Sequence, residues 1–187
     1  MGTIEVYQKI IETITLSNHS VRGAGPSLIQ DLERELGVDL PVELVDLYLH
    51  TNGNNDDTGV FSGYQFLSIE EIYQAIDSLT EGASNFNELE TFPCHPEGTI
   101  KKVSYSEYWV PFGGKDTGNY IGVDLDPGPN GISGQIINFG PEEYFRVQIA
   151  ESLQDFLEEL LDGYRREEYH YSFNSVGIVD SIISNVQ

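Results

Sequence analysis

The chain has a single cysteine, Cys94, in 187 residues, so it can build neither a disulfide framework nor a cysteine-rich zinc site. It has no apolar run long enough to span a bilayer. Its first residues, MGTIEVYQKIIETI, lack the basic segment and apolar core of a secretory signal. Gly2 is followed by Thr3 to Val6, without the Ser or Thr that a myristoylation signal uses. A soluble cytoplasmic protein is therefore expected. Basic residues are scarce too: 9 Lys plus Arg stand against 31 Asp plus Glu, a formal charge of −22. Such a surface repels phosphate backbones and anionic lipid, which argues against nucleic-acid and membrane partners. It accelerates encounter with basic proteins, although acidity also serves plain solubility.

Catalytic signatures are missing as well. There is no P-loop, no G-x-S-x-G and no dinucleotide fingerprint. The histidines His19, His50, His95 and His170 are scattered, without H-E-x-x-H spacing. Cys94 and His95 are adjacent, whereas a catalytic pair is brought together by the fold. Glu70-Glu71, Glu142-Glu143 and Glu158-Glu159 sit at element ends of a very acidic chain, where paired carboxylates arise by chance. Asp124-x-Asp126 starts like a calcium loop, but Gly128, Pro129 and Gln135 occupy positions where an EF-hand needs Asp or Asn, Gly and Glu. Asp126 and Asn130 are read instead as ordering a turn through bonds to backbone amides. No catalytic residue, metal ligand or cofactor is assigned.

At 187 residues the chain fits one domain, residues 1–187, able to bury most of its apolar surface. Ile4, Tyr7, Ile11 and Ile14 recur at helical spacing over residues 3 to about 16. A second helix opens at Gly25-Pro26, buries Leu28, Ile29, Leu32 and Leu36, and closes at Gly37. A third starts at Pro41, with Leu44, Val45, Tyr48 and Leu49 as its apolar face, and ends at Asn52-Gly53. Asn54 to Gly59 reads as an exposed acidic loop, and Val60-Phe61 and Tyr64 to Leu67 as short strands. Ser68 and Glu71 form a capping box that opens a helix to about Leu79. Thr80 to Thr99 reads as a long loop, and Val103 to Tyr105 as a return to strand.

The chain is organised around Trp109 to Gly140. Two strand-like runs, 120–125 and 134–139, flank Asp126 to Gly131, a stretch of turn formers, which makes a hairpin with a long loop. Trp109 to Phe112 is a further strand that Pro111 should end or push to an edge. Glu143 to Ala150 is another strand. Ser152 caps a helix with Asp155 as box partner, and Gly163 stops it. Tyr169 to Phe173 reads as strand and Ile178 to Val186 as an amphipathic helix. The class is α+β: a mostly antiparallel central sheet with N-terminal helices and a C-terminal helix packed on it. The tail from Tyr164 is left open between dimer contact, cover for a sheet edge and completion of the core.

The central motifs are W-x-P-F from Trp109, G-N-x-x-x-x-D-L-x-P from Gly118, and G-x-x-G-Q-I-I from Gly131. LERELGVDLPVELVDLYLHTNG precedes them and AESLQDFLEELLDG follows. In this order they resemble the SUKH superfamily, over roughly residues 25–163, leaving 164–187 as an extension. That group joins fungal cell-wall-assembly regulators of the SMI/KNR type to bacterial proteins associated with immunity against secreted polymorphic toxins. The resemblance implies a non-catalytic binding protein that blocks a toxin, in some cases a nuclease, and the charge of −22 makes a basic toxin domain the expected partner. It implies a partner face over the sheet and loops around Tyr108, Trp109, Asp124 and Asp126, with the acidic loop at Asp56 and Asp57 contributing. Two other readings are carried forward: a scaffold in cell-wall or signalling control, and a metal-assisted hydrolase using Asp124 and Asp126. A homo-oligomer is left open.

Overall fold

The computed structural model describes residues 1–14, 22–54, 58–83, 92–175 and 177–186. Three helices come first: α1 (Thr3–Thr13), α2 (Pro26–Leu36) and α3 (Val42–His50). Strand β1 (Gln65–Phe66) precedes α4 (Ile69–Ala83), and β2 (Cys94–His95) follows it. The core of the sheet is β3 (Trp109–Gly114), β4 (Tyr120–Asp124), β5 (Gln135–Phe139) and β6 (Arg146–Ala150). Helices α5 (Leu153–Arg165) and α6 (Ile178–Val186) complete the chain. The fold is α+β.

The strand order is β1-β3-β4-β5-β6-β2, antiparallel throughout except for the parallel pair of β2 with β6. Side-chain alternation divides the sheet into two faces. Val110, Phe112, Ile121, Val123, Ile136 and Val147 belong to the larger core, which they share with residues of all six helices. Trp109, Ile137 and Phe139 belong to a smaller core, closed by Leu79 of α4 and by Cys94 and Ile100. In the larger core Phe61 lies 5.1 Å from Phe66, 5.4 Å from Phe112 and 5.8 Å from Phe156. These tilted and edge-on pairs add to the area they bury.

The helix boundaries follow from local chemistry. Pro26 stands in the first turn of α2, where its missing N–H costs nothing, and Gly37 closes the helix at φ 67°. At α4 the box is complete: the Ser68 amide donates to Glu71 Oε2 (2.7 Å) and the Glu71 amide to Ser68 Oγ (3.2 Å). At α5 the Asp155 amide donates to Ser152 Oγ (3.1 Å).

Several expectations are corrected. Leu49 is 43% exposed; the inward position on α3 is taken by Leu47, one helical step from Leu44. Thr80 to Ala83 extend α4, and the expected loop after it contains β2, with Cys94 buried. Val103 to Tyr105 form no strand, and Tyr169 to Phe173 contribute a single bridge, Thr58 to Ser172. Phe61 likewise makes one isolated bridge, to Tyr64.

Pro111 lies in an interior strand. It faces Gly122 of β4, between Val110 paired with Val123 and the irregularity before Gly113. On the other side β3 meets β1 at Gly113 and Gly114, so no ladder bond is lost at the proline nitrogen. Gly163 does not end α5 but sits within it, and the position suits glycine because a Cβ there would stand 2.1 Å from the Tyr169 ring.

The tail finishes the core. Ile178 and Val179 are buried in the larger core. The Tyr164 hydroxyl accepts from the Ser62 amide (2.9 Å) and donates to the Val60 carbonyl (3.0 Å), and Ser62 Oγ accepts from the Ile178 amide (2.8 Å).

Candidate functional site

The site is built on the sheet face that carries the smaller core, and on the loops closing it. Trp109 and Asp124 are partners in the β3–β4 register, so both side chains rise from the same face. Both are fully buried. One Asp124 oxygen accepts from the Asp126 amide (3.0 Å), and the other accepts from Gln135 Nε2 (2.9 Å). The Trp109 indole N–H lies towards this carboxylate, short of a full hydrogen bond, and favours its charged form. Burial outweighs these contacts and raises the carboxyl above its ordinary value.

Gln135 links the hairpin to the loop before β3. Its Nε2 also donates to the Thr99 carbonyl (2.9 Å), and its Oε1 accepts from the Ile132 amide (3.1 Å). Asn130 Nδ2 donates to the Glu97 carbonyl (3.0 Å), and the Gly128 amide donates to the Thr99 carbonyl (2.9 Å). The two loops approach so closely that a Cβ at Gly128 would lie 2.3 Å from the Gly98 carbonyl oxygen, and one at Gly131 would lie 2.1 Å from that of Thr99. The turn formers of the sequence thus serve loop-to-loop contact as much as the turn itself. The amide-accepting side chain is that of Asp124, not Asp126. Asp126 Oδ2 pairs with Lys101 Nζ, and Asn130 acts as a donor.

Further along the same face, Trp109 lies 5.5 Å from Phe139, which in turn lies 6.2 Å from both Tyr105 and Tyr120. The Arg146 guanidinium stands over Phe92 (4.8 Å) and Trp109 (5.6 Å) and donates to the Ser104 carbonyl (2.8 Å). Its Nε and Nη1 have no hydrogen-bond partner, and burial pulls its pKa down to about 10. The aromatic faces and the Glu143 carboxylate both favour this buried cation.

Of the residues expected at a partner face, Tyr108 is 36% exposed and Asp126 half-exposed, both at one end of the sheet; the Leu125 amide donates to the Tyr108 carbonyl (3.0 Å). Trp109 and Asp124 lie wholly beneath that surface. Asp56 and Asp57 fall outside the described residues. Sequence reasoning gave no site role to Gln135, Lys101 or Arg146. Gln135 had a signal, being the polar residue of the G-Q-I-I run. Among the described residues no three of His, Cys, Asp or Glu converge as metal ligands. Nor is any helix there long and apolar enough to cross a membrane.

The motif residues that build this face also decide the family. A family model, SMI1 / KNR4 family (SUKH-1), matches residues 23–159. The chain belongs to this family. The match covers all of the site's loops and strands. The chain is 30% identical over 149 residues to the "Cell wall biosynthesis/cell cycle regulator smi1" of Schizosaccharomyces pombe, covering 72% of this chain and 30% of that protein. It is 26% identical over 165 residues to the "Cell wall assembly regulator SMI1" of Saccharomyces cerevisiae, covering 69% of this chain and 33% of that protein. A "KNR4/SMI1 homolog" of Kluyveromyces lactis is 40% identical over 62 residues, 33% of this chain and 12% of that protein. The chain thus spans about a third or less of the length of these curated relatives.

Proposed function

We propose that this SUKH-family chain acts as one non-catalytic binding domain over residues 1–187, in the cytoplasm. It occludes a basic protein partner, as an immunity protein does to a secreted polymorphic toxin. The observation that carries this reading is the exposed end of the sheet. There Tyr108 and Asp126 stand over the bonded network of Asp124 and Gln135, in a chain of formal charge −22. An exposed aromatic and a half-exposed carboxylate at one end of a rigid sheet are suited to a basic partner, which would compete with Lys101 for Asp126. Trp109 and Asp124 support that face from beneath. The test is a titration against the C-terminal domain of any secreted toxin encoded next to this chain, at low and high salt. Tight, salt-sensitive binding that silences the toxin supports the reading, and no binding at either salt removes it.

The names of the fungal relatives favour a second reading, a regulator of cell-wall assembly. Its test is to supply this chain to Saccharomyces cerevisiae lacking its SMI1. Restored wall assembly supports a regulator, and failure together with toxin silencing decides for immunity.

A further inference from the structure

We propose that the recess at the C-terminal end of α4 is the seat for one lysine or arginine side chain of a basic protein partner; this deepens the partner-binding reading and rests on it. The recess has a volume of about 340 Å³. That is near the lower limit of small-molecule sites, roughly 300–1,000 Å³, and suits one long side chain. Its aromatic walls are Tyr105 and Tyr120, each held 6.2 Å from the Phe139 ring. Aromatic faces carry the negative part of the ring quadrupole and attract cations. Leu79, Gly82 and Ala83 line it from α4, whose last described turn carries no basic residue. Asp116 is exposed at the mouth, and the described lining contains no Lys, Arg or His.

Among the described lining residues the one formal charge is that of Asp116, so a guanidinium or ammonium would meet aromatic rings and a carboxylate together. Its aliphatic stem would lie against Leu79 and the tyrosine rings. The surrounding chain, at −22, brings basic proteins to this surface.

The experiment titrates the isotope-labelled full chain with N-acetyl-arginine methylamide, N-acetyl-lysine methylamide and the neutral N-acetyl-norleucine methylamide, following backbone amide shifts. The cationic probes should shift Gly82, Thr117 and Gly118 saturably, with a Kd on the order of 1–10 mM for a single side chain. Norleucine should bind roughly tenfold more weakly or not at all. Gly82→Leu should abolish the effect while keeping the fold, because a Cβ at Gly82 meets nothing within 4 Å and leucine is the better helix former. Asp116→Asn should weaken it several-fold. Equal binding of norleucine, shifts that never saturate, shifts that persist in Gly82→Leu, or no shift at all would each overturn the proposal. A toxin that binds Gly82→Leu as tightly as wild type removes the seat and leaves the partner-binding reading intact. Saturable arginine binding with no toxin binding removes the partner-binding reading alone.

Discussion

Asp124 receives the side-chain amide of Gln135 at 2.9 Å, and through it β4 and β5 are tied to the Thr99 loop. Asp124→Asn would point an amide towards the Gln135 amide or withdraw the acceptor from the Asp126 amide. Either leaves a buried donor unpaired, so unfolding by denaturant should show a loss of about 1–3 kcal/mol. A variant as stable as wild type would mean that the pair contributes nothing net.

The same carboxyl makes a pH prediction. Burial raises it above its ordinary value, so the folded chain holds that proton more tightly than the unfolded one. Its contribution to stability is present below the unfolded value, about 3.9, and is lost as pH rises through the raised folded value. The stability of wild type relative to Asp124→Asn should therefore decline with rising pH across that window. A rise would show that the hydrogen bonds to the carboxylate outweigh burial.

Asp126 is expected to behave differently. Its pair with Lys101 is half-exposed, and such pairs contribute about 0–1 kcal/mol. Asp126→Asn should leave the unfolding midpoint almost unchanged. It should slow association with a basic partner and flatten the salt dependence of that rate. Unaltered kinetics at both salts would place Asp126 outside the interface.

Tyr164→Phe removes one hydroxyl that serves two buried backbone groups, the Ser62 amide and the Val60 carbonyl. Leaving both unpaired should cost about 1–3 kcal/mol with the ring still in place. Amide exchange at Ser62 should accelerate if the hydroxyl is its protection, and an unchanged rate would show that another acceptor takes over.

Gly163→Ala tests the close approach of α5 and Tyr169. Alanine is favoured over glycine within a helix by about 1 kcal/mol. Here the added methyl would overlap the Tyr169 ring, so the substitution should destabilise wild type. In a Tyr169→Ala background the same substitution should be neutral or stabilising. Equal effects in both backgrounds would remove the ring from the explanation.

Much of the fold was legible because its punctuation is local. Pro26, Gly37, Ser68 with Glu71, and Ser152 with Asp155 each act over a few residues and mark ends that the structure reproduces. What was misread depends on distant partners. Gly163 looks like a helix stop until Tyr169 is seen against it. Pro111 looks like an edge residue until β1 is seen to pair only at Gly113 and Gly114. At the site, the turn around Asp126 was readable, but which carboxylate turned inward was not. Strand register decides that, by setting Asp124 opposite Trp109. Gln135 and Arg146 act on carbonyls of the segment before β3, Thr99 and Ser104, a connection that no spacing rule reaches.

Helix α1 packs on α5, and Thr3 Oγ1 donates to Gln154 Oε1 at 2.8 Å. Roughly 140 residues separate the end of one helix from the start of the other. At ribosomal rates of about 5–20 residues per second, α1 waits on the order of ten seconds for its partner to emerge. Throughout that interval Val6, Tyr7 and Ile10, which end up buried, have no α5 to pack on. The nascent chain is thus open to chaperones and proteases at α1 until α5 has left the ribosome.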